Sequence, residues 1–491
     1  MFNKQFDEEY FFLKPKQIDC LKAIQEKDTV AILPTGYGKS LIFELLPHFS
    51  KCVCDNKSIV IIIAPLNAII EQELSKLGSY VCQVLKTEPV KFTGITHFIG
   101  HPEDILFHAE SLGRIGKTVG KVFVVVDESH CILDWGEDFR PDFRLICELR
   151  PHLPKGMKML AITATASKHS QKEIASLLGM KDYNELNTTP VLNDNVKLAV
   201  QERIPSTGGC NTVQEAYNFV FKPLLLQLYS EEEDFPLTVV YCKLQWCGCA
   251  IELAKRLLGP VYRSSCANAR VVQYHAKQPH DLNTSIVNTL SKSDSPIRLV
   301  FATIALGMGC DLRHIKRIIH AGPPSSLEVY TQEVGRAWRD GSKAEAILCY
   351  NGTDLAQRHV DRSVKEYCKE RKSCRRAFIS SYFDSTVSVP DQDCCDVCDT
   401  SNSCSQVLKS RDDLKIPTLT KRQQLFDILN AYRLSDMSGD CQNHLNEHVI
   451  HIITDTFEYV ETVEQISKYF KQPENIAQSV HAIKSHVLSM L

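Results

Sequence analysis

The chain has 491 residues, of which 44% are hydrophobic and 23% charged, and its net charge is -3 with neutral histidines. This reads as a soluble protein of about three domains, and the near-neutral charge requires any nucleic-acid contact to come from local basic patches. The 20 cysteines are scattered, many in apolar strand-like runs such as Val240-Tyr241-Cys242, so most are expected to be reduced and buried rather than paired. The longest apolar run, Ser58 to Ile70, is broken by Pro65 and Asn67 and falls short of the roughly 20 residues that span a bilayer, so no membrane segment is expected. The acidic start, Met1 to Glu9, lacks the basic and apolar stretches of a secretory signal, and the protein is expected to stay inside the cell.

Short β-branched runs alternate with amphipathic stretches. Thr29–Leu33, Ser58–Ala64, Val122–Val126 and Lys158–Thr163 predict strands of a parallel α/β sheet. A polar interruption at Asn193-Asp194-Asn195 precedes a second series, Leu237–Cys242, Val271–His275, Ile297–Ala302, Lys316–His320 and Glu345–Tyr350. A basic helical stretch, a cysteine cluster and a helical tail follow. The expected domains are 1–193, 194–360, 361–404 and 405–491.

The strand Thr29–Leu33 runs into Pro34-Thr35-Gly36-Tyr37-Gly38-Lys39-Ser40 and then an apolar helix. This is a phosphate loop in context: glycines let backbone N–H groups converge on phosphate oxygens at a helix N-terminus, Lys39 neutralises the β and γ phosphates, and Ser40 ligates magnesium. The strand Val122–Val126 ends in Asp127-Glu128-Ser129-His130. Asp127 is assigned to magnesium and Glu128 to the attacking water. Gln332 to Arg339 place Arg336 and Arg339 three apart on one helical face, suited to a γ phosphate, with Gln332 one turn earlier. Alone, such arginines are more often solvated; at the end of a second α/β domain they read as catalytic.

Cys374, Cys394, Cys395 and Cys398 can supply four thiolates for a tetrahedral zinc. Adjacent ligands are unusual, so Cys368 or Cys404 could replace Cys394. The helix bearing Lys369, Arg371, Lys372, Arg375 and Arg376 could follow a DNA backbone, although such runs are usually solvated faces.

In this order the segments resemble the motifs of superfamily 2 helicases, and several resemble the RecQ family in particular. Leu33 stands where the general phosphate-loop motif has its first glycine, so the match is to the shorter helicase form. The most specific segment is Asp127 to Phe143, an aromatic-rich loop that in that family senses single-stranded DNA; Trp135, Phe139 and Phe143 can stack on bases while Arg140 meets phosphate or the ATP site. The resemblance, which covers about residues 10 to 400, implies that Gln17 reads the adenine edge flanked by Tyr10 and Lys14. It also implies that Ala161–Thr165 links hydrolysis to domain movement, and that Asp311 in Thr303–Asp311 contacts ribose. The cysteine spacing resembles the family's zinc module.

The fold so implied is two tandem RecA-like domains, a zinc-binding helical module and a mainly helical tail. The implied activity is ATP- and magnesium-dependent 3′–5′ translocation on single-stranded DNA, with unwinding of tailed or branched duplexes, in recombination, repair or replication in the nucleus. Trp338 replaces a glycine usual beside Arg339, Lys277 another after Tyr274-His275-Ala276, and Asn193–Val196 lacks a usual arginine and proline. The tail shows no hairpin signal; Thr462–Phe470 and Ile476–Val487 read as two helices around a turn, either helix-turn-helix or packing, with packing favoured. Two rivals remain: an RNA-directed motor, and a non-catalytic nucleic-acid-binding scaffold or a DNA-stimulated ATPase that does not unwind.

Overall fold

The computed structural model describes residues 5–6, 9–10, 12–34, 36–54, 57–77, 81–91, 93–135, 141–187, 192, 195–206, 213–259, 268–307, 312, 314–337, 343–385, 394–399, 419–435 and 444–489. Two parallel sheets organise it. The first contains β1 (Asp28–Ile32), β2 (Ser58–Ile63), β3 (Cys82–Val84), β4 (His97–Gly100), β5 (Lys121–Val126), β6 (Lys158–Thr163) and β7 (Tyr183–Asn187), in the order β3-β4-β2-β5-β6-β1-β7. The second contains β8 (Val196–Glu202), β9 (Thr238–Tyr241), β10 (Val271–Tyr274), β11 (Leu299–Ala302), β12 (Arg317–His320) and β13 (Ala344–Tyr350), in the order β8-β13-β12-β9-β11-β10.

Parallel strands need crossover helices on both faces, so their side chains are buried on both sides and read as unbroken apolar runs. In β2, Ile59, Ile61 and Ile63 enter one core of the first sheet and Val60 and Ile62 the other. All six β2 residues are buried. The strands that the sequence pattern did not predict are those without such runs. Edge strand β7 is Tyr-Asn-Glu-Leu-Asn, and β4 begins with buried His97, whose Nε2 meets the carbonyl of Phe43 at 3.1 Å.

The region after the second sheet is tied to it. Cys395 forms a parallel bridge with Leu198 of β8, whose N–H donates to the Cys394 carbonyl at 3.1 Å. The tail is helical, with Leu419–Ser435, Glu447–Thr456, Val463–Phe470 and Glu474–Ser489. Its core includes Leu226 and packs against Tyr229, both from the helix Val213–Glu231 of the second domain. The last two helices have the expected turn between them: Thr462 caps the first, Lys471 adopts a left-handed φ of 52°, and their buried faces join the tail core. No helix among the described residues is long and apolar enough to cross a membrane.

Candidate nucleotide site and interdomain cleft

Helix α1 (Pro15–Glu26) and helix α2 (Lys39–Cys54) flank the loop after β1. Gly36 and Gly38 hold φ of 78° and 88°, which side-chain-bearing residues rarely adopt. A Cβ on Gly38 would also lie 2.5 Å from Gln17 Nε2, because the Gln17 amide is folded onto the loop. Gln17 Nε2 donates to the carbonyls of Tyr37 (3.1 Å) and Gly38 (2.9 Å), and its Oε1 accepts the Lys14 N–H at 2.8 Å. The Lys14 ammonium stands 4.6 Å from the Tyr37 ring centroid. Sequence reading places Gln17 on the base; the structure ties its amide to the phosphate loop.

Lys39 and Ser40 open α2, where unpaired N–H groups and the helix dipole favour an anion. Lys39 Nζ is 3.1 Å from Glu128 Oε1. Glu128 has φ of 45°, a left-handed conformation costing on the order of 1–2 kcal/mol, which turns the chain back at the end of β5. The turn is held by the Glu128 N–H donating to Asp127 Oδ1 at 2.9 Å and the Cys131 N–H donating to the Glu128 carbonyl at 2.9 Å.

The two acids are set apart electrically. Burial and the neighbouring Glu128 push the Asp127 carboxyl up to about 7, against the pull of Lys39. Burial also opposes ionisation of Glu128, but Lys39, His130 and Arg336 outweigh it and hold its carboxyl below the usual range. Arg336 belongs to the second domain and is buried, so the two domains meet electrostatically at Glu128. Gln332 is buried in the helix just before it. These residues fit a magnesium nucleotide: Ser40 and Asp127 supply hard oxygen ligands beside the anion-binding helix end, and Lys39 supplies the countercharge.

The segment Ala161–Thr165, expected to link hydrolysis to domain movement, reaches the cleft together with residues to which the sequence assigned no role, among them Ser170 and Glu328. His130 Nδ1 and Thr163 Oγ1 lie 2.8 Å apart. Thr165 Oγ1 donates to the Glu328 carbonyl at 3.3 Å, and Ser170 Oγ donates to Glu328 Oε1 at 3.1 Å, crossing from the first domain to the second. A cavity of about 500 Å³ opens between them, lined by His130, Thr165, Ser170, Glu328 and Tyr382. Glu73 and Lys76, from the helix Asn67–Leu77, reach Ser40. Their only sequence signal was an acid and a base one turn apart on an amphipathic helix.

The sulfur atoms of Cys374, Cys394, Cys395 and Cys398 all lie within 4.8 Å of one another. Tetrahedral zinc with Zn–S near 2.3 Å needs sulfurs about 3.8 Å apart; Cys374–Cys394 is 3.5 Å and Cys374–Cys395 is 4.0 Å. Burial and the adjoining thiols push the Cys398 thiol up to about 12 and raise that of Cys394 well above its ordinary value, whereas burial of Cys374 is outweighed by backbone N–H groups and the neighbouring thiols, which lower its thiol. Cys368 packs instead in the second domain's core, and Cys404 lies outside the described residues.

Three expected DNA contacts are corrected. Phe143 is 1% exposed and packs in the core of the first domain, where it cannot stack on a base. Arg375 is fully buried: its Nε donates to Asp396 Oδ1 at 2.9 Å and its Nη1 to the Tyr367 carbonyl at 2.7 Å. Arg376 is buried and donates to the Val196 carbonyl. Both arginines fasten the cysteine cluster to β8 and the second domain. Thr35, Phe139, Arg140, Asp311, Trp338 and Arg339 lie outside the described residues, and the side chains of Tyr10 and Trp135 are likewise not described.

Residues 14–174 match the family model described as DEAD/DEAH box helicase, and residues 223–341 match that of the helicase conserved C-terminal domain. The chain is 27% identical over 449 residues to the bifunctional 3′-5′ exonuclease/ATP-dependent helicase WRN of Mus musculus, a match covering 80% of this chain and 30% of the relative. It is 26% identical over 432 residues to the RecQ-like DNA helicase BLM of Xenopus laevis, covering 78% of this chain and 28% of the relative. The ATP-dependent DNA helicase Q1 of Rattus norvegicus is 27% identical over 403 residues, with 76% and 60% covered. The chain thus spans under a third of the length of the first two relatives. Solved structures share the fold: the DEAD-box helicase Mss116 bound to ssRNA and UDP-BeF has a TM-score of 0.56 at 16% identity, covering 96% of this chain and 92% of that one. The Mycobacterium smegmatis helicase Lhr bound to ssDNA and AMP-PNP has a TM-score of 0.53 at 15% identity, with 96% and 55% covered. With two helicase models matched in tandem, two parallel sheets in that order and a four-cysteine cluster behind them, this chain carries a DEAD/DEAH-box helicase core with its helicase C-terminal domain and is similar to RecQ-like helicases over most of its length.

Proposed function

We propose that the chain is an ATP-dependent DNA helicase that moves 3′ to 5′ on single-stranded DNA and separates the duplex ahead of it. The observation that carries this reading is the meeting of Lys39 and Glu128 of the first domain with Arg336 of the second across one cleft. ATP with magnesium supplies the hydrolysable phosphate. Lys39 holds its charge, Ser40 and Asp127 hold the metal, and Glu128 positions the water. Gln332, Arg336 and Arg339 close from the opposite wall, where such an arginine is worth about 10³ to 10⁵ in rate. Gly36, Tyr37 and Gly38, with Thr35, form the phosphate cradle. Gln17, Lys14 and Tyr10 form the side toward the base, where Gln17 couples adenine to loop shape through the Tyr37 and Gly38 carbonyls. Asp311 takes the ribose.

The choice of DNA rests on the relatives named as DNA helicases and on the cysteine cluster, which we assign to a structural zinc. Trp135, Phe139 and Arg140 are the proposed contacts to single-stranded DNA, and recombination, repair or replication in the nucleus is the proposed setting. Domain limits are proposed at 193/194, 360/361 and 404/405.

The test is strand separation on duplexes with 3′ or 5′ single-stranded tails, alongside ATPase stimulated by DNA or RNA, with Lys39→Ala as control. Separation of the 3′-tailed duplex alone, lost in the variant, supports the proposal. Stimulation by RNA only would replace it with an RNA motor, ATPase without separation with a translocase, and neither activity with a nucleic-acid-binding scaffold.

A further inference from the structure

Behind Ser40 lies a group that neither the phosphate loop nor the acidic strand end accounts for. Glu73 is 2% exposed, and its Oε1 accepts the Ser40 hydroxyl at 2.6 Å. Its other oxygen, Oε2, is buried without a hydrogen-bond partner. Its charge is also felt at Asp127, the other residue assigned to magnesium. A buried carboxylate with an idle oxygen costs several kcal/mol of desolvation unless a cation or a water network answers it.

Part of the answer in this structure is Lys76. Its ammonium is 2.8 Å from Glu73 Oε1 and donates to Ser40 Oγ at 3.2 Å. It therefore uses a lone pair that Ser40 would otherwise offer to a metal. The Lys76 side chain is more than a third exposed and anchored one helical turn from Glu73, so it can swing into solvent when a divalent cation arrives.

The geometry points to Glu73 and Lys76 as positioning residues that set the magnesium affinity of the nucleotide site, an inference that rests on the ATP-binding reading above. A hydroxyl ligates a metal through its lone pair only if its proton is directed away, and Glu73 accepts that proton. Magnesium keeps several waters, and the second oxygen of Glu73 is placed to receive a hydrogen from one of them. Lys76 is a resident cation that magnesium displaces. Glu73 stays in the outer shell, acting through the Ser40 hydroxyl that its Oε1 already accepts.

The test is magnesium titration of the binding of a fluorescent ATP analogue to the full chain, compared with binding in excess chelator, for wild type, Glu73→Gln and Lys76→Met. Glu73→Gln keeps the shape and removes the charge, and its magnesium midpoint should rise about 10- to 100-fold, as for other outer-shell changes. Lys76→Met removes the competitor, and its midpoint should fall. Metal-free nucleotide affinity should be alike in all three. Equal midpoints, or midpoints displaced in the same direction, overturn the inference. If Glu73→Gln does not fold, Lys76→Met decides by itself, because its side chain reaches the surface. A wild-type chain that binds no nucleotide with or without magnesium overturns the ATP-site reading and this inference together.

Discussion

Tyr382, on the helix that follows Cys374, donates its phenolic hydrogen to both oxygens of Glu328, at 2.9 and 3.0 Å. The same carboxylate accepts from Ser170 of the first domain, so three parts of the chain converge on one side chain. Burial and the Glu328 charge push the Tyr382 hydroxyl far above its ordinary pKa, and it stays a donor at any working pH.

Tyr382→Phe should therefore cost about 1.5–3 kcal/mol, the range for a hydrogen bond to a charged group. Ser170→Ala and Tyr382→Phe share an acceptor and should not add: a double-mutant cycle by chemical denaturation should give a coupling of at least about 0.5 kcal/mol. Strict additivity would show that Glu328 serves two independent contacts.

Metal analysis of the purified chain should find one zinc, and Cys398→Ser should lose it. Because Cys394 and Asp396 exchange backbone hydrogen bonds with Leu198, chelation should also lower the melting temperature of the second domain. An unchanged melting curve after complete metal removal would mean that the thiols hold the segment without an ion.

Arg375→Ala should unfold or strongly destabilise the segment, by about 3–5 kcal/mol, since it leaves Asp396 without its partner at a buried ion pair. The salt dependence of DNA binding should be unchanged in protein that remains folded. A shallower salt slope with intact stability would restore Arg375 to the DNA surface.

Lys222 and Arg422 both meet Glu458, at 3.1 and 2.6 Å, between the second domain and the tail. Glu458→Ala strands two cations, one of them buried, and should cost about 3–5 kcal/mol. At the rim, the hydrogen bond from Lys471 holds the Glu232 carboxyl below its usual range. A depressed carboxylate contributes fully above its unfolded pKa and loses that contribution as pH falls through the folded value. Acid titration of tail docking should accordingly show a limb below about pH 4.5 that Glu232→Gln flattens.

The nucleotide half of the fold was legible because its signals are local. The run Ser58–Ile63, the glycines around Tyr37 and the acids after Val126 each announce themselves within a few residues. What could not be read depends on partners far away in sequence. Arg375 and Arg376 look like a solvated basic face until Asp396 and the carbonyl of Val196 are brought beside them. Phe143 shares a short segment with Trp135 and Phe139, but the 3₁₀ turn Pro141–Leu149 points it inward. Glu328 offered no motif of its own, because its role arises from three segments more than 50 residues apart, as its partners Ser170 and Tyr382 show.

The helix Val213–Glu231 is covered by its own sheet on one side and by the tail on the other, with Leu224, Leu225, Leu226 and Leu228 all buried. Only its first two residues, Val213 and Gln214, are exposed. Among homologous chains, those that carry this tail should keep positions 226 and 229 apolar, while those that lack it should show polar residues there and an ordinary one-sided helix. The two positions would thus record, in any homologue's sequence, whether the tail is docked as it is in this chain.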